Sequence, residues 1–568
     1  MTDVPLIRQR TMMPQADGWV WPEPIHPVLR QIYSRRPIAG PDELELRLAH
    51  LVPVSQFQTL EAGVDLLCSH RDDCIVIVGD FDADGATSTA LMKRCLSDFG
   101  FSSHEFVVPD RFELGYGLTI GAVELAAQRG ASLIVTVDNG ISSLDGVARA
   151  RQLGIDVLVT DHHLPGSQLP AANVVVNPHC AGSGLDSSNL AGVGVVFYLM
   201  AALGRRLQQP SLPARYLDLV ALGTVADVVP LDRGNRILVQ QGLLRIRAGK
   251  ATAGVQALFS VAGKVAGQAV ASDLGFHIGP RLNAAGRLDD MTEGVRCLLS
   301  DDPPAALEFA QRLDELNQQR RTIERRMSDE ADELTRTLTT AQTQDAYCIY
   351  HPDWHQGVVG LVASRIKERY RRPVIAFAKA EAGKLKGSGR CIPGVHLRDS
   401  LADVETRAPG IIEKFGGHAM AAGLTISADN LQAFSSEFEA VVVERLAGVD
   451  LDDTPITDGP LDPEFFTLEV ARLLRSAGPW GQMFPEPVFD GEFELLQQRV
   501  VGGQHLRMQL RPVESAQSIK AIAFRQTGDY PPGCRLILTY RLDVDDYGHV
   551  PQPQLIVETI ATATPASP

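Results

Sequence analysis

Short apolar runs, spaced by helical patterns, constrain the fold of this 568-residue chain more than any other feature. The runs are CIVIV at 74–78, LIVTV at 133–137 and VLV at 157–159. Strand patterns also occur at 104–109 and 173–176, and helical periodicity occurs near 86–99, 119–129 and 143–153. Strands that alternate with helices predict an α/β fold with a doubly wound parallel sheet.

Carboxylates follow each of the three apolar runs, and a further one follows the apolar stretch 220–226. The acidic residues are Asp80, Asp82, Asp84, Asp138, Asp161 and Asp227, and Asp161 is followed by His162 and His163. Open parallel sheets carry their functional groups beyond the carboxyl ends of the strands, so these side chains are expected at one edge. Crowded carboxylates repel each other unless cations hold them, and oxygen-rich sets with one or two imidazoles suit Mg²⁺ or Mn²⁺. The pattern predicts a two-metal site for phosphoester hydrolysis.

The composition is that of a globular protein, with 45% hydrophobic and 21% charged residues. The net charge of −16 excludes a wholly basic nucleic-acid coat but leaves room for local basic grooves. Eight cysteines without CxxC spacing indicate reduced thiols rather than a zinc ribbon or a disulfide framework. The absence of a leader pattern and of a long apolar segment predicts a cytoplasmic protein with no membrane contact.

Changes in pattern along the chain predict five regions. They are an N-terminal extension at 1–52 with a helix near 41–52, a catalytic domain at 53–302, a connecting helix at 303–340, a smaller α/β domain at 341–450 and a β domain at 456–560. The last region follows a linker at 452–455 and contains five short strand patterns. Five such strands suit an OB-like barrel, a common binder of single-stranded nucleic acid.

Several segments resemble motifs of the DHH phosphoesterase superfamily. They are VGDFDADG at 78–85, VDNG at 137–140, DHH at 161–163 and GTVAD at 223–227. Three further segments resemble the bacterial RecJ family of 5′ exonucleases within it, namely GPRLNAAGR at 279–287, HQGVVG at 355–360 and GGHAMAAG at 416–423. The resemblance spans residues 50–560 and implies a DHH domain, a DHHA1-like substrate domain at 341–450 and an OB-like DNA-binding domain.

The resemblance implies two Mg²⁺ or Mn²⁺ ions with Asp138 as the bridging, catalytic ligand. Asp82 would bind one ion, and the ligands of the other would be Asp84, His162 and Asp227. Many DHH enzymes have a histidine where this chain has Val78, so Asp80 or water would complete the first site. The alternative for any one aspartate is an ordinary helix N-cap after a strand. His163 would donate to the scissile phosphate or leaving oxygen, or else orient a ligand.

Phosphate contacts are expected from both α/β regions of the chain. Arg281 and Asn283, in a Gly-rich loop, would hold the scissile phosphate, with Arg281 counted as catalytic; the alternative is a packing turn. Candidate DNA contacts are Arg111, a phosphate-cradling loop with Ser388 and Arg390, and His418 in a Gly-Gly-His turn. Phe112 and Tyr116 could stack on bases or simply pack. Arginines between apolar positions of the connecting helix are expected to form a solvated face rather than a phosphate groove.

These observations predict a metal-dependent exonuclease that degrades single-stranded DNA from the 5′ end. The resemblance implies release of 5′-mononucleotides, roles in recombinational and mismatch repair, a monomer, and two partners, single-strand binding protein and a RecQ-type helicase. One alternative is a DHH phosphodiesterase for small nucleotides or short oligonucleotides, against which the OB-like region argues. Another is an inactive relative that only binds DNA, for which Val78 is the sole support.

Overall fold

The computed structural model describes residues 7–13, 20–22, 24–111, 113–185, 189–341, 344–448, 454–513, 515–546 and 550–562. Phe112 and the first two residues of the predicted linker lie outside this part of the chain. The fold divides into two compact units. Unit 1 contains Met1–Pro280, Met291–Ala310 and Asp453–Pro568, and unit 2 contains Arg281–Asp290 and Gln311–Asp452.

The N-terminal region of unit 1 is mostly irregular. Its elements are strand β1 (Arg8–Gln9), helices α1 (Pro27–Tyr33) and α2 (Leu60–Ser69), and 3₁₀ turns at Pro41–Leu44, Leu48–His50 and Val54–Gln56. The helix predicted near 41–52 is therefore wrong. Pro53 disfavours helical backbone at Val52, and the segment forms separate 3₁₀ turns instead of a continuous helix.

A five-stranded parallel sheet forms the centre of unit 1. Its strands are β2 (Cys74–Gly79), β3 (Ser103–Val107), β4 (Leu133–Val137), β5 (Asp156–Thr160) and β6 (Val174–Val176). They lie in the order β3-β2-β4-β5-β6, and every pair is parallel. Every residue of β4 is buried, which explains why this strand is continuously apolar rather than alternating. The predicted doubly wound parallel sheet is confirmed.

Helices cover the sheet and extend unit 1. They are α3 (Ala83–Asp98), α4 (Ile120–Gln128), α5 (Leu144–Gln152), α6 (Gly192–Arg206), α7 (Leu217–Ala226), α8 (Arg233–Arg247), α9 (Ala253–Val261), α10 (Ala271–Asp273), a π-helix (Leu274–Ile278) and α12 (Thr292–Leu299), with 3₁₀ turns at Pro213–Tyr216 and Ala266–Gln268. Helix α11 (Gly279–Leu288) follows the π-helix and belongs to unit 2 from Arg281 onward. The apolar stretch before Asp227 thus forms helix α7, not another strand. Helix α7 is buried on nearly every side, so its sequence lacks the alternation of apolar and polar residues that distinguishes a helix from a strand.

The connecting helix is α13 (Pro303–Ala341), close to its predicted bounds. Asp302 caps its first turn, where its carboxylate accepts from the backbone N–H of Ala305. Pro303 lies in that first turn, where a missing N–H leaves no hydrogen bond unmade.

Unit 2 contains a mixed five-stranded sheet. Its elements after α13 are β7 (Tyr347–Tyr350), α14 (Val359–Tyr370), β8 (Val374–Lys379), a 3₁₀ turn (Glu381–Gly383), β9 (Lys384–Arg390), α15 (Leu397–Arg407), β10 (Lys414–Gly417), β11 (Ala421–Ser427), a 3₁₀ turn (Ala428–Asn430) and α16 (Leu431–Leu446). The strand order is β10-β11-β9-β8-β7, and only β7 and β8 run parallel. Phe377, Phe434 and Phe438 are central to its core.

Two glycine-rich segments predicted as loops are regular elements. Residues 387–390 belong to β9, and the segment that begins at Gly279 is α11. A Cβ atom on Gly387 would lie 2.6 Å from the Phe377 ring, and one on Gly389 would lie 2.7 Å from Leu397. These two glycines therefore permit close packing rather than a turn.

The C-terminal part of unit 1 is a closed barrel. Its elements are β12 (Ile456–Thr457), a 3₁₀ turn (Pro463–Phe465), α17 (Leu468–Ser476), β13 (Phe489–Val501), β14 (His505–Pro512), β15 (Ile519–Ala523), β16 (Arg535–Asp545) and β17 (Gln552–Thr562). The barrel order is β13-β14-β15-β17-β16. The predicted OB-like barrel is confirmed. Strand β12 pairs with β1 in parallel.

A buried ion pair joins the two ends of unit 1. Arg36 and Asp458 are 1% and 0% exposed, and the two terminal guanidinium nitrogens of Arg36 donate to the carboxylate, at 2.5 and 3.0 Å. Arg36 also donates to the carbonyl of Pro485, while the backbone N–H of Val488 and the side chain of Arg10 approach the carboxylate. Each oxygen of Asp458 therefore faces a donor.

All eight cysteines lie within the described residues and are free thiols. Among the described helices, none combines the length and the apolar character that crossing a membrane requires.

Candidate metal centre

The acidic cluster lies at the point in the sheet of unit 1 where the order of strand addition reverses. From β2 the chain crosses outward to β3 and then returns to β4 on the other side of β2. Asp82 follows β2 and Asp138 follows β4, so both stand at the carboxyl ends of neighbouring strands. Ligands of open α/β sheets bind in the crevice at such a reversal.

Three sets of side chains place their ligand atoms within 4.8 Å of one another. The sets are Asp80, Asp82 and Asp138; Asp84, His162 and Asp227; and Asp138, His162 and His163. His162 is central, because its Nε2 lies 3.1 Å from Asp138 Oδ1, 3.5 Å from Asp227 Oδ2 and 4.0 Å from Asp84 Oδ2. The structure thus brings together every residue predicted as a metal ligand, while Val78 is buried in β2.

Local backbone geometry fixes two of these carboxylates. Asp138 has a φ of +62°, a left-handed conformation that costs energy and recurs at functional sites. A Cβ on Gly192 would come within 2.6 Å of Asp138, so only glycine lets α6 begin there. Asp84 accepts hydrogen bonds from the backbone N–H groups of Gly192 and Val193, at 2.6 and 2.9 Å. The amino end of α6 therefore braces the cluster, a contribution that no sequence motif revealed.

Asp82 has a dual position. It is the N-cap of α3, where its Oδ1 accepts from the N–H groups of Asp84 and Gly85. The ordinary helix-cap interpretation is therefore realised for this residue. Its carboxylate nonetheless lies among the ligand atoms of Asp80 and Asp138, so the cap holds it in place beside them.

Burial and mutual repulsion disfavour the ionised form of most carboxylates in this cluster. Burial, followed by the charge of neighbouring carboxylates, raises the pKa of Asp80, Asp84 and Asp138 well above the ordinary value. The same causes, burial and the charge of Asp82, raise the pKa of Asp227 to about 7. Burial and the nearby His163 charge lower the pKa of His162 to about 3, so its imidazole is neutral.

Two buried atoms of the cluster fit a divalent cation. Asp138 Oδ1 and His162 Nε2 are inaccessible to solvent, and although they lie 3.1 Å apart they form no hydrogen bond with each other or with any other described residue. A buried polar atom without a partner is costly, and a neutral imidazole facing carboxylates is the donor set of Mn²⁺ or Mg²⁺. The residues present therefore fit the expected metal.

Asp161 differs from the other carboxylates because its oxygens are already engaged. Oδ2 accepts from the N–H of Ile141, and Oδ1 accepts from the N–H groups of His162 and His163 and contacts His163 Nδ1 at 2.7 Å. Burial alone would raise the pKa of Asp161, but the hydrogen bonds from His163 and its positive charge lower that pKa below the ordinary value. Burial acts to lower the pKa of His163, but the hydrogen bond and the negative charge of Asp161 outweigh it and raise that pKa to about 9. Asp161 thus orients the histidine pair.

An aromatic group lies beside the cluster. The Arg111 guanidinium stands 4.6 Å from the centre of the Phe81 ring, and Phe81 contacts Tyr116 edge to face. Tyr116 in turn contacts the ring of His163 and is half exposed. Burial lowers the pKa of Arg111, while Asp80 and Asp82 act to raise it. Phe81 was missed as a site residue, although it lies within the acidic motif itself.

The remaining predicted contacts lie in unit 2. Arg281 is buried on α11, where its Nη2 bonds Asp314 Oδ1 of α13 at 2.8 Å, and the partly buried Asn283 lies one half-turn on. Gln318 donates to the other oxygen of Asp314. No motif indicated Asp314, and only its acidic character near a run of arginines could have drawn notice.

Ser388 and Arg390 lie at the end of β9. Arg390 Nη1 donates to Ser388 Oγ at 3.1 Å and to the carbonyl of Gly389 at 2.8 Å. A Cβ on Gly360, near the start of α14, would lie 2.9 Å from Ser388 Oγ and 3.0 Å from Arg390 Nη2. Helix α14 therefore begins against this pair. His418 lies in the turn between β10 and β11, where its backbone N–H donates to the carbonyl of Ala421.

Models of three domain families match the chain. The DHH family N-terminal domain matches residues 74–224, the DHHA1 domain matches 342–444, and the RecJ OB domain matches 457–559. The first match contains Asp80, Asp138 and His162, and the second contains Ser388 and Arg390.

Curated relatives and solved structures agree with these matches. The single-stranded-DNA-specific exonuclease RecJ of Escherichia coli is 50% identical over 98% of both chains. Crystal structures of RecJ from Thermus thermophilus in complex with Mn²⁺ and Mg²⁺ are 29% and 28% identical, with TM-scores of 0.77 and 0.73. The two matches cover 94% and 95% of this chain, and 76% and 75% of the respective Thermus chains. This chain belongs to the RecJ family of DHH proteins.

Proposed function

We propose that this protein is a metal-dependent exonuclease that degrades single-stranded DNA from the 5′ end and releases 5′-mononucleotides. The observation that carries this proposal is the pair of buried, unsatisfied ligand atoms on Asp138 and His162 at the reversal point of the sheet. Relatives named as single-stranded-DNA-specific exonucleases support the choice of substrate.

Two Mn²⁺ or Mg²⁺ ions would be held by the acidic cluster. Asp138 would contribute to the binding of both, Asp82 and Asp80 would help to hold one, and the triplet Asp84, His162 and Asp227 would help to hold the other; all lie in the ligand sets of the centre. The ions would supply an activated water molecule and neutralise charge that develops on the phosphate. Asp84 is held by two backbone N–H groups, so it would stay in place when substrate enters.

The chain's own residues would complete the reaction. His163, whose Nδ1 is fixed by Asp161, would donate a hydrogen bond from its other nitrogen to the phosphate or leaving oxygen. Arg281 and Asn283 would hold the scissile phosphate, since a planar guanidinium matches two phosphate oxygens. Asp314 would fix the orientation of Arg281.

Direction requires recognition of a strand end. A terminal phosphate carries more negative charge than an internal diester, about −1.5 to −2 at neutral pH. Arg111, Ser388 and Arg390 would bind that group, and His418 would contact the adjoining strand. Ser388 and Arg390 support each other through a hydrogen bond, so the guanidinium is already oriented. Recognition of one strand end would make cleavage exonucleolytic, with release of mononucleotides.

The barrel would hold the rest of the strand. On its outer face Arg499 stands directly opposite Arg507, whose Nη2 also lies 3.7 Å from Asp545 Oδ2, and the exposed Lys520 of β15 opposes Gln509 of β14. Like charges placed directly opposite are unfavourable in isolation but attract a polyanion. Charge-reversal of Arg499 and Arg507 should weaken binding of long strands more than it slows cleavage at saturation.

The cellular setting follows from the same activity. We infer roles in recombinational repair and mismatch repair, where single strands must be removed from a 5′ end. A RecQ-type helicase would supply such strands and single-strand binding protein would cover them. The protein would act in the cytoplasm as a monomer; the ligand sets of the centre all come from one chain, so the metal site needs no second copy.

End-labelled substrates test the proposal. A single strand of a few tens of nucleotides, labelled at its 5′ end, is incubated with Mn²⁺, with EDTA as the metal-free control. The expected first product is the labelled mononucleotide, whereas a 3′-labelled strand should shorten gradually. Release of nucleotides from the 3′ end first, or faster cleavage of dinucleotides than of the long strand, would contradict it.

A further inference from the structure

We propose that Val228 and Phe276 form a base platform, an apolar surface in unit 1 on which a nucleobase of the DNA strand stacks beside the metal centre. This inference rests on the proposed nuclease function and adds a contact to the base, whereas the arginine contacts of the proposed function are made to phosphate. Val228 directly follows the candidate metal ligand Asp227, and Phe276 lies on the π-helix packed against the end of α7.

Val228 adopts an unfavourable backbone conformation. Its φ is +62°, a left-handed value that β-branched residues rarely adopt, and its side chain is 63% exposed. A polar residue or glycine would be the ordinary choice at such a position. Strain of this kind is concentrated at ligand-binding sites, where the surrounding fold enforces it. Here it presents an apolar side chain to solvent next to Asp227.

The π-helix presents Phe276 in a similar way. Leu274 and Ile278 on either side of it are fully buried, yet the Phe276 ring is 74% exposed. A π-turn inserts one extra residue into a helix and re-aims its side chains, and such turns are frequent at functional sites. Residues four apart share one face of a helix, so Leu274 and Ile278 point inward together while Phe276, two residues from each, points to solvent.

Val225 connects the two members of the base platform. Its carbonyl accepts the backbone N–H of Val228 at 3.3 Å, and a Cβ on Gly275 would lie 3.3 Å from its Cγ1. Gly279 also packs closely on Ala226, because a Cβ on Gly279 would lie 3.0 Å from the Cβ of Ala226. Close packing on both sides of Phe276 fixes the π-helix against the residues that precede Asp227.

A nucleobase suits this surface better than other apolar ligands do. A base offers a flat π-face of any sequence, and aromatic side chains bind single strands through such faces without base specificity. The duplex keeps its bases stacked on each other, so only an unpaired strand can offer a face to Phe276. The base platform would therefore favour single strands at the position nearest the metals.

Strands with one abasic residue test the base platform. The residue is placed in turn at each of the first four positions from the 5′ end, and both affinity and cleavage rate are measured for each strand with Mn²⁺. At one position the wild-type protein should bind and cleave the intact strand better by between about fivefold and a hundredfold, the range of base–aromatic stacking. Phe276→Ala should remove most of that ratio, and Phe276→Trp should retain it.

Val265→Ala is the matched control, because Val265 is 64% exposed in the same unit and takes no part in the site. It should keep the wild-type ratio at every position. If Phe276→Ala also kept the wild-type ratio at all four positions, the base platform would be wrong. Failure of the nuclease function would look different: no Mn²⁺-dependent release from any strand, with the affinity ratio still measurable.

Discussion

Two groups of buried charge in unit 1 differ in whether the protein neutralises them. Asp458, at 0% exposure, faces Arg36 on both oxygens and also accepts a backbone N–H. Asp138, nearly as buried, faces His162 and further carboxylates, and its Oδ1 makes no hydrogen bond with the described residues. The first arrangement is complete within the chain, whereas the second requires a cation from outside.

The difference distinguishes a structural charge from a functional one. A buried ion pair with satisfied hydrogen bonds fixes one arrangement of the chain, and removing one partner leaves an uncompensated charge. A cluster of like charges instead lowers the stability of the metal-free protein and raises its affinity for cations. Disruption of the two groups should therefore have opposite consequences for folding and for activity.

Asp138→Asn should give the largest effect, a loss of nuclease activity of about a thousandfold or more. Loss of a partner that merely orients a metal ligand costs about 10- to 100-fold, and a bridging ligand should cost more. Asparagine tolerates the left-handed backbone at this position and removes a repelling charge. Thermal unfolding without metal should therefore show an unchanged or raised midpoint. A folded variant with near-normal turnover would refute the bridging role.

Arg36→Met should produce the reverse pattern. It leaves the buried Asp458 with only the partly exposed Arg10, 3.4 Å away, and one backbone N–H, which should lower the free energy of unfolding by up to about 3–5 kcal/mol. Nuclease turnover per folded molecule should stay unchanged below the unfolding transition. The double variant Arg36→Met with Asp458→Leu is the control and should recover much of the stability. Lost turnover in well-folded Arg36→Met would show that this pair also serves the site.

Mn²⁺ should stabilise the wild-type protein, because the ion binds the folded state alone. At a concentration 100 times its Kd, one bound ion adds about 2.7 kcal/mol to the free energy of unfolding. Differential scanning calorimetry with and without Mn²⁺ would show this as a higher midpoint. Arg36→Met should gain as much as the wild type, and Asp138→Asn should gain much less. Equal gains for both variants would place the ion elsewhere.

Arg390→Ala should have the smallest effect, about a tenfold fall in the preference for 5′-phosphorylated over 5′-hydroxyl ends. A hydrogen bond to a charged group contributes about 1.5–3 kcal/mol, enough for such a ratio. Arg281→Ala should instead lower turnover on both ends alike. The measurement is the ratio of cleavage rates on the two strands for each variant. Equal slowing of both ends by Arg390→Ala would make it a general strand contact.

The sequence predicted the candidate centre better than it predicted several elements that carry the site. Strand periodicity and the acidic residues after β2, β4 and β5 were sufficient to predict that the carboxylates converge, since parallel strands end at one edge. Helix α7 could not be distinguished from a strand, because it is apolar on every side. The glycines of β9 suggested a loop, since their role in packing on Phe377 depends on a distant strand. The Asp314 contact to Arg281 likewise depends on how two helices pack.

The ion pair between Arg36 and Asp458 also has a consequence for biosynthesis. Its two residues are 422 positions apart. Ribosomes add about 5–20 residues per second, so Arg36 leaves the ribosome on the order of tens of seconds before its partner exists. During that interval the nascent chain can form the parallel sheet, but it cannot pair β1 with β12 or close the charge. The N-terminal segment therefore takes its final position only after residues 456–458 have been synthesised.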